Sequence, residues 1–180
     1  PLRHEAAVRA VAVSPDGQTA YCAVVGPFNA SGVAVGHEIQ IVQNLGTTPT
    51  LGARIDLNVP DPAIEGPLEL EITPDGKKLL VLTDHPDPYD TNGHLVVVDT
   101  LTNTVTSGIL LPTSGGQKAT GNSMTIHPSG SHAYVHVVVV DALTVFVEDR
   151  LLVFDIAASS FLGGSTIAFP ATERLETQVI

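Results

Sequence analysis

Short runs of apolar residues alternate with polar ones along the chain, and glycine or proline interrupts them at short intervals. An alternation with a period of two indicates strands that bury one face. Such runs occupy residues 11–13, 70–72 and 124–126, each directly before a turn-forming sequence. No stretch repeats its apolar residues at helical spacing. The sequence therefore predicts an all-β protein.

The turn-forming sequence occurs three times, which indicates a repeat protein. Its copies are Ser14-Pro15-Asp16-Gly17, Thr73-Pro74-Asp75-Gly76 and His127-Pro128-Ser129-Gly130. Proline presets the first turn position, and glycine takes the left-handed position that closes a hairpin. Four residues after each glycine comes a large apolar residue, in turn Tyr21, Leu80 and Tyr134.

Each repeat also contains a third and a fourth strand. The third strands are predicted at 39–42, 95–98 and 151–154, and the fourth strands begin at Leu51, Val105 and Phe161. Each unit is then an antiparallel meander of four strands. The predicted units span 1–58, 59–111 and 112–169, and residues 170–180 start a further unit or a closing strand.

Residues 93–105 (GHLVVVDTLTNTV) resemble the YVTN-type β-propeller repeat, in which a strand ends in Asp-Thr and a turn leads to a Thr-Val strand. The hairpin at His127-Pro128-Ser129-Gly130 is more distantly similar to lactonase-like propellers. The resemblance implies a β-propeller with three four-stranded antiparallel blades. Because propellers close with about four to eight blades, the chain is expected to be part of a six- or seven-bladed ring, or half of a ring that another chain closes.

Composition narrows the classes of partner. The net charge is −11, with three Lys and five Arg, and such a surface repels nucleic-acid phosphates. Cations or basic proteins fit better. The longest apolar run, 134–147, is interrupted by His136 and Asp141, so no membrane-spanning helix is predicted. The single cysteine, Cys22, lies in an apolar strand pattern that predicts a packed thiol.

The longer connections of the meanders are expected at one end of the blades, opposite the tight turns. Long loops on a rigid scaffold commonly carry binding sites. These connections are also acidic, and the apolar segment 143–147 is predicted either to pack within the protein or to dock on another subunit. The candidate partner-binding residues are Asp61, Glu65, His85, His94, Val145 and Phe146.

Residues 84–93 concentrate oxygen ligands of the kind that calcium prefers. The candidate ligands are Asp84, Asp87, Asp90 and Asn92, although their spacing does not match an EF-hand. The alternative is a solvated acidic loop. No other cofactor is predicted.

The sequence contains no nucleophile elbow, phosphate-binding glycine loop or cysteine pair. The predicted function is a non-catalytic binding or scaffold module whose partner is a protein, a cation, further blades or another copy of the chain. The resemblance to the propeller family implies export to the periplasm or cell surface. The alternative is part of a propeller enzyme, either a lactonase-like hydrolase or the propeller subunit of a redox enzyme.

Overall fold

The computed structural model describes residues 7–26, 37–57, 66–83, 92–141, 146–163 and 166–170. These ranges contain thirteen strands and no helix, so no membrane-spanning helix occurs among the described residues. In chain order the strands are β1 (Ala7–Val13), β2 (Thr19–Val25), β3 (His37–Gln43), β4 (Thr50–Asp56), β5 (Pro67–Ile72), β6 (Lys78–Thr83), β7 (His94–Asp99), β8 (Thr104–Leu110), β9 (Lys118–Ile126), β10 (His132–Val140), β11 (Phe146–Asp155), β12 (Ser160–Phe161) and β13 (Ile167–Pro170).

The strands form three antiparallel meanders, as predicted. Blade 1 contains β1 to β4 and blade 2 contains β5 to β8, each in sequence order. Blade 3 contains β9 to β13, and both β12 and β13 pair with β11, so two short strands share the fourth position. The predicted third strands lie within β3, β7 and β11.

The first hairpin turn has the same geometry in every blade. In blade 1 the backbone N–H of Ser14 donates to the carbonyl of Thr19 at 2.8 Å, and that of Gly17 donates to Ser14 at 2.8 Å. The turns at Thr73 and His127 repeat both bonds. The closing glycines have φ between 71° and 72°, a left-handed conformation that other residues rarely adopt. The repeated sequence is therefore a repeated turn.

The turn between the third and fourth strands lies beside this first turn in each blade. The backbone N–H of Leu45 donates to Gln18, that of Thr100 to Lys77, and that of Ile156 to Ser131, at 3.1–3.2 Å. The first-to-second and third-to-fourth turns thus lie at one end of each blade, which we call the turn end. The connections β2–β3, β6–β7 and β10–β11 and those between blades leave the opposite end, the loop end.

The blades stack face to face around two apolar clusters. We call the face of a blade that points to the next blade its front face and the other its back face. The front face of blade 1 and the back face of blade 2 share a cluster that includes Tyr21, Ile39, Leu79 and Val96. The front face of blade 2 and the back face of blade 3 share another, which includes Leu80, Leu82, Val135 and Phe154.

The first strand of every blade carries a β-bulge at an equivalent position. The pairing with the second strand shifts between Val8 and Ala10, between Pro67 and Glu69, and on either side of Asn122. A bulge increases the local twist of a strand. The three first strands therefore bend in the same way where they approach one another.

Candidate functional site

Asn92, one of the four predicted calcium ligands, ties blade 2 to blade 3 at the loop end. Its side-chain oxygen accepts a hydrogen bond from the backbone N–H of Ala119 at 3.0 Å, and its amide nitrogen donates to Thr113 Oγ1 at 3.3 Å. An amide oxygen has two lone pairs, and the bond from Ala119 uses one of them. Asp84, Asp87 and Asp90 lie outside the described residues.

His94, a predicted partner-binding residue, is buried at the loop end of blade 2 with 2% of its surface exposed. Its backbone N–H donates to Thr83 Oγ1 at 2.8 Å, and its carbonyl accepts from the same hydroxyl at 3.3 Å. In this conformation His94 holds the two middle strands of blade 2 together.

Phe146, another predicted contact residue, is the first residue of β11 and pairs with Val140. The apolar connection is therefore shorter than the sequence suggested, because Phe146 and Val147 already belong to the strand. The strands β10 and β11 extend with it to nine and ten residues. Asp61, Glu65, His85 and Val145 lie outside the described residues.

Two half-buried carboxylates stand side by side on the first strand of blade 2. Glu69 and Glu71 both lie on the front face of β5, where the backbone N–H of Met124 in blade 3 donates to Glu69. The Oε2 atom of Glu69 is buried without a hydrogen-bond partner. Burial raises the pKa of Glu69 against the opposing effect of the Met124 bond, and burial together with the Glu69 charge raises the pKa of Glu71.

A carboxyl group with a raised pKa keeps its proton at pH values closer to neutral, so such a pair can act as a general acid. Perturbed carboxylates also occur in purely structural settings. No group of three His, Cys, Asp or Glu side chains in the described part of the chain is placed to hold a metal ion.

A second polar group lies on the front face of blade 3. The Asn122 amide donates to His136 Nδ1 at 2.9 Å, and His136 Nε2 lies 3.1 Å from Asp149 Oδ1. This geometry fits the tautomer in which Nδ1 accepts and Nε2 donates to the carboxylate. The imidazole is thereby fixed in orientation on a face that no described blade covers.

Sequence reasoning missed both groups, although an internal comparison carries a signal for one of them. Counted back from the turn, Glu69 and Glu71 are equivalent to Ala10 and Ala12 in blade 1 and to Ser123 and Thr125 in blade 3. Charged residues at positions where the other repeats have small residues are candidates for a function. The side-chain contact between His136 and Asp149 depends on the register of β10 and β11. No residue in the sequence signals that contact.

No protein-family model matches the sequence, and no curated protein matches it. Solved structures do. The chain is similar to hydrazine synthase of Kuenenia stuttgartiensis (19% identity, TM-score 0.64), covering 89% of this chain and 41% of that one. It is also similar to the β-propeller domain of the Trilobed protease of Pyrococcus furiosus (12%, 0.59), covering 95% and 45%.

A third similar structure is the periplasmic gluconolactonase of Pseudomonas aeruginosa (12% identity, TM-score 0.51), covering 91% of this chain and 58% of that one. At such identities the likeness shows the fold alone. It confirms the predicted β-propeller architecture, with three blades in the described residues. The chain spans about two fifths of the first two neighbours and less than two thirds of the third.

Proposed function

We propose that this chain is a non-catalytic β-propeller binding or scaffold module, exported or surface-exposed, which uses its loop end to bind a protein or cation. The observation that carries the proposal is the difference between the two ends of the blades. At the turn end, the polar side chains of the repeats bond their own turns: Asp16 accepts from Ser14, and Asp75 from Thr73. The long acidic connections leave the other end.

The loop end suits a binding role because backbone hydrogen bonds hold residues from which its connections leave. The backbone N–H of Gly93 donates there to the carbonyl of Ala119 in the first strand of blade 3, and the N–H of Leu111 donates to the carbonyl of Gly93 within blade 2, both at 2.9 Å. These bonds fix Gly93 and Leu111, and preorganised groups lose little entropy on binding. The acidic residues Asp61 and Glu65 favour a basic protein surface, and the segment 84–93 favours calcium.

Co-purification tests the protein-binding role. The tagged chain is incubated with an envelope extract of its host, beside an Asp61→Asn/Glu65→Gln variant and a Lys77→Ala control. Lys77 lies at the turn end with 80% of its side chain exposed. We expect the acidic-loop variant to lose a protein that wild type and control retain. Equal retention by all three, or loss in the control alone, contradicts the proposal.

Calcium titration tests the cation-binding role. A cation that binds only the folded state raises the midpoint of thermal unfolding. We expect calcium to raise the unfolding midpoint of wild type and of an Asp75→Asn control, each compared with its own metal-free value. The midpoint of an Asp87→Asn/Asp90→Asn variant should not rise. The same rise in that variant contradicts a site in the 84–93 segment.

Cell fractionation of the native protein tests export, which a cytoplasmic location contradicts.

The Glu69–Glu71 pair favours one alternative, a hydrolytic propeller enzyme. Its raised pKa values suit proton donation to a leaving group. The similarity to the gluconolactonase makes gluconolactone the probe substrate. Hydrolysis followed by pH-stat, with added divalent metal, would support this alternative if Glu69→Gln abolished it and Glu38→Gln did not. The absence of hydrolysis in wild type supports the binding module.

A further inference from the structure

The first turn of blade 3 differs in its side chains from the first turns of the other two blades. In blade 1, Ser14 Oγ donates to the aspartate of the turn at 2.6 Å and accepts from the backbone N–H of Thr19 at 2.9 Å. The turn of blade 2 repeats both bonds with a threonine and an aspartate. In blade 3, His127 takes the position of Ser14. His132 takes that of Thr19, and Ser129 replaces the aspartate.

His127 and His132 lie opposite each other across this hairpin. The backbone N–H of His127 donates to the carbonyl of His132 at 2.8 Å, which continues the pairing of β9 with β10. Side chains directly opposite in an antiparallel pair leave the same face, with Cβ atoms about 4.5–5.5 Å apart. The His127 ring meets the Tyr134 ring edge-on, with centroids 6.4 Å apart. Tyr134 alternates with His132 and His136 along β10, so both imidazoles leave the front face of blade 3.

Two serines hold the two rings by the same ring nitrogen. Ser129 Oγ lies 2.7 Å from His127 Nδ1. Ser131 Oγ lies 2.8 Å from His132 Nδ1, and the two hydroxyl oxygens lie 2.7 Å apart. Both Nδ1 atoms can donate to these oxygens at once, because each hydroxyl oxygen has two lone pairs. That tautomer leaves each Nε2 without a proton. The backbone N–H of Ser129, 3.2 Å from His127 Nδ1, then faces solvent in this exposed turn.

This arrangement is the one that metal-binding histidines use. Such a histidine is held through one ring nitrogen by a hydrogen bond and binds the metal ion through the other. Among the described residues, neither Nε2 atom of His127 and His132 has a hydrogen-bond partner. His136 on the same face differs, because Asn122 and Asp149 occupy both of its ring nitrogens.

The type of ligand indicates the class of metal. Imidazole nitrogen suits Zn²⁺, Cu²⁺ and Ni²⁺, whereas the oxygen ligands of segment 84–93 suit calcium. Asp155 pairs with His132 from β11, and its Oδ1 accepts from the backbone N–H of Ala158 at 2.8 Å. In the described ranges no three His, Cys, Asp or Glu side chains are placed to hold one ion. The two imidazoles are therefore the protein ligands, and water completes the coordination.

We propose that His127 and His132 bind a divalent transition-metal ion through their Nε2 atoms at the turn end of blade 3. Ser129 and Ser131 position the two rings for this role. Chelation requires both imidazoles, so either histidine alone binds the ion weakly. The site lies at the end of the blade opposite the long acidic connections. The inference therefore goes beyond the proposed loop-end function and does not depend on it.

A zinc titration of thermal unfolding tests the site. An ion that binds the folded state raises the unfolding midpoint. We expect Zn²⁺ to raise the midpoint of wild type and of a His136→Asn control. His127→Asn and His132→Asn should each lose most of this rise, when each is compared with its own metal-free midpoint and checked for folding by circular dichroism. No rise in wild type, an equal rise in either variant, or a loss in the control overturns the proposal.

Proton–nitrogen correlation NMR of the imidazoles identifies the ligand atoms. We expect Zn²⁺ to shift the Nε2 signals of His127 and His132 and to leave the His136 signals unchanged. A shift at Nδ1, or at one ring only, overturns the two-histidine arrangement. Ser129→Ala and Ser131→Ala should each weaken Zn²⁺ binding about tenfold, and unchanged affinity in both overturns the positioning role. These results are independent of the co-purification and calcium experiments, which test the loop end.

Discussion

Leu82 of blade 2 packs directly on the backbone of Gly121 in blade 3. A Cβ at residue 121 would lie 2.5 Å from Leu82 Cγ and 2.8–2.9 Å from its two methyl carbons. Both residues belong to the interface between these blades, where Leu82 is fully buried. The absence of a side chain at residue 121 therefore sets how closely the first strand of blade 3 approaches the second strand of blade 2.

Gly121→Ala is expected to lower the free energy of unfolding by about 1–3 kcal/mol, since overpacking a closed interface forces neighbouring side chains to shift. Urea unfolding followed by circular dichroism measures the change. Gly163→Ala is the matched control, because among the described residues, its chain neighbours aside, no atom lies within 4 Å of the position of its Cβ. Equal stability of the two variants would show that Leu82 gives way without cost.

Thr83→Val should destabilise the protein by about 1–3 kcal/mol, because it removes the hydroxyl that accepts from the buried backbone N–H of His94. Valine has nearly the same shape, so the effect reports the hydrogen bond. Thr83→Ser keeps the hydroxyl and should retain most of the stability. The comparison is made by denaturant unfolding, and a Val variant as stable as Ser would refute the role of this bond.

Asp75→Asn is expected to reduce stability at neutral pH and to have less effect in acid. The hydrogen bonds from Thr73 Oγ1 and the Lys77 N–H hold the pKa of Asp75 below its ordinary value of 3.8. A lowered folded-state pKa stabilises the protein above that ordinary value, and this stabilisation is lost as pH falls through the folded-state pKa. Urea midpoints of wild type and variant from pH 2 to pH 7 measure this stabilisation. A difference in midpoint that does not change with pH would contradict its origin in the lowered pKa of Asp75.

Glu69→Gln should change stability in the opposite sense. Burial raises the pKa of Glu69 above its ordinary value of 4.5, so ionisation destabilises the folded wild type progressively as pH rises from 4.5 through the folded-state pKa. Glutamine does not ionise, and its side-chain oxygen can still accept from Met124. The variant should therefore gain stability over wild type between about pH 4 and pH 7, in the same urea series. A gain that is already complete at pH 4 would assign the effect to packing.

The turns and strands were predictable because their signals are local. Proline and glycine in the turns at Ser14, Thr73 and His127 restrict φ without reference to the rest of the chain. The aspartates of the first two turns accept from residues no more than two positions away. Three copies of one local signal then predicted three meanders and the end at which their turns lie.

The bulges and the polar clusters were not predictable, because they depend on contacts between strands. The residues at the bulge, Arg9, Leu68 and Asn122, share no chemical character, so no residue type marks the position. The bulge sets which residues of β9 lie opposite β10, and Asn122 reaches His136 only through that register. The burial of Glu69 likewise arises from the approach of a blade more than fifty residues away along the chain.

The hydrogen bond that joins the two turns of each blade has a consequence for folding. It links residues 27, 23 and 25 positions apart, namely Gln18 with Leu45, Lys77 with Thr100, and Ser131 with Ile156. Contacts of such short sequence separation cost little loop-closure entropy. We therefore expect each blade to begin folding independently at its turn end, so that the slow step is the docking of preformed sheets along the chain.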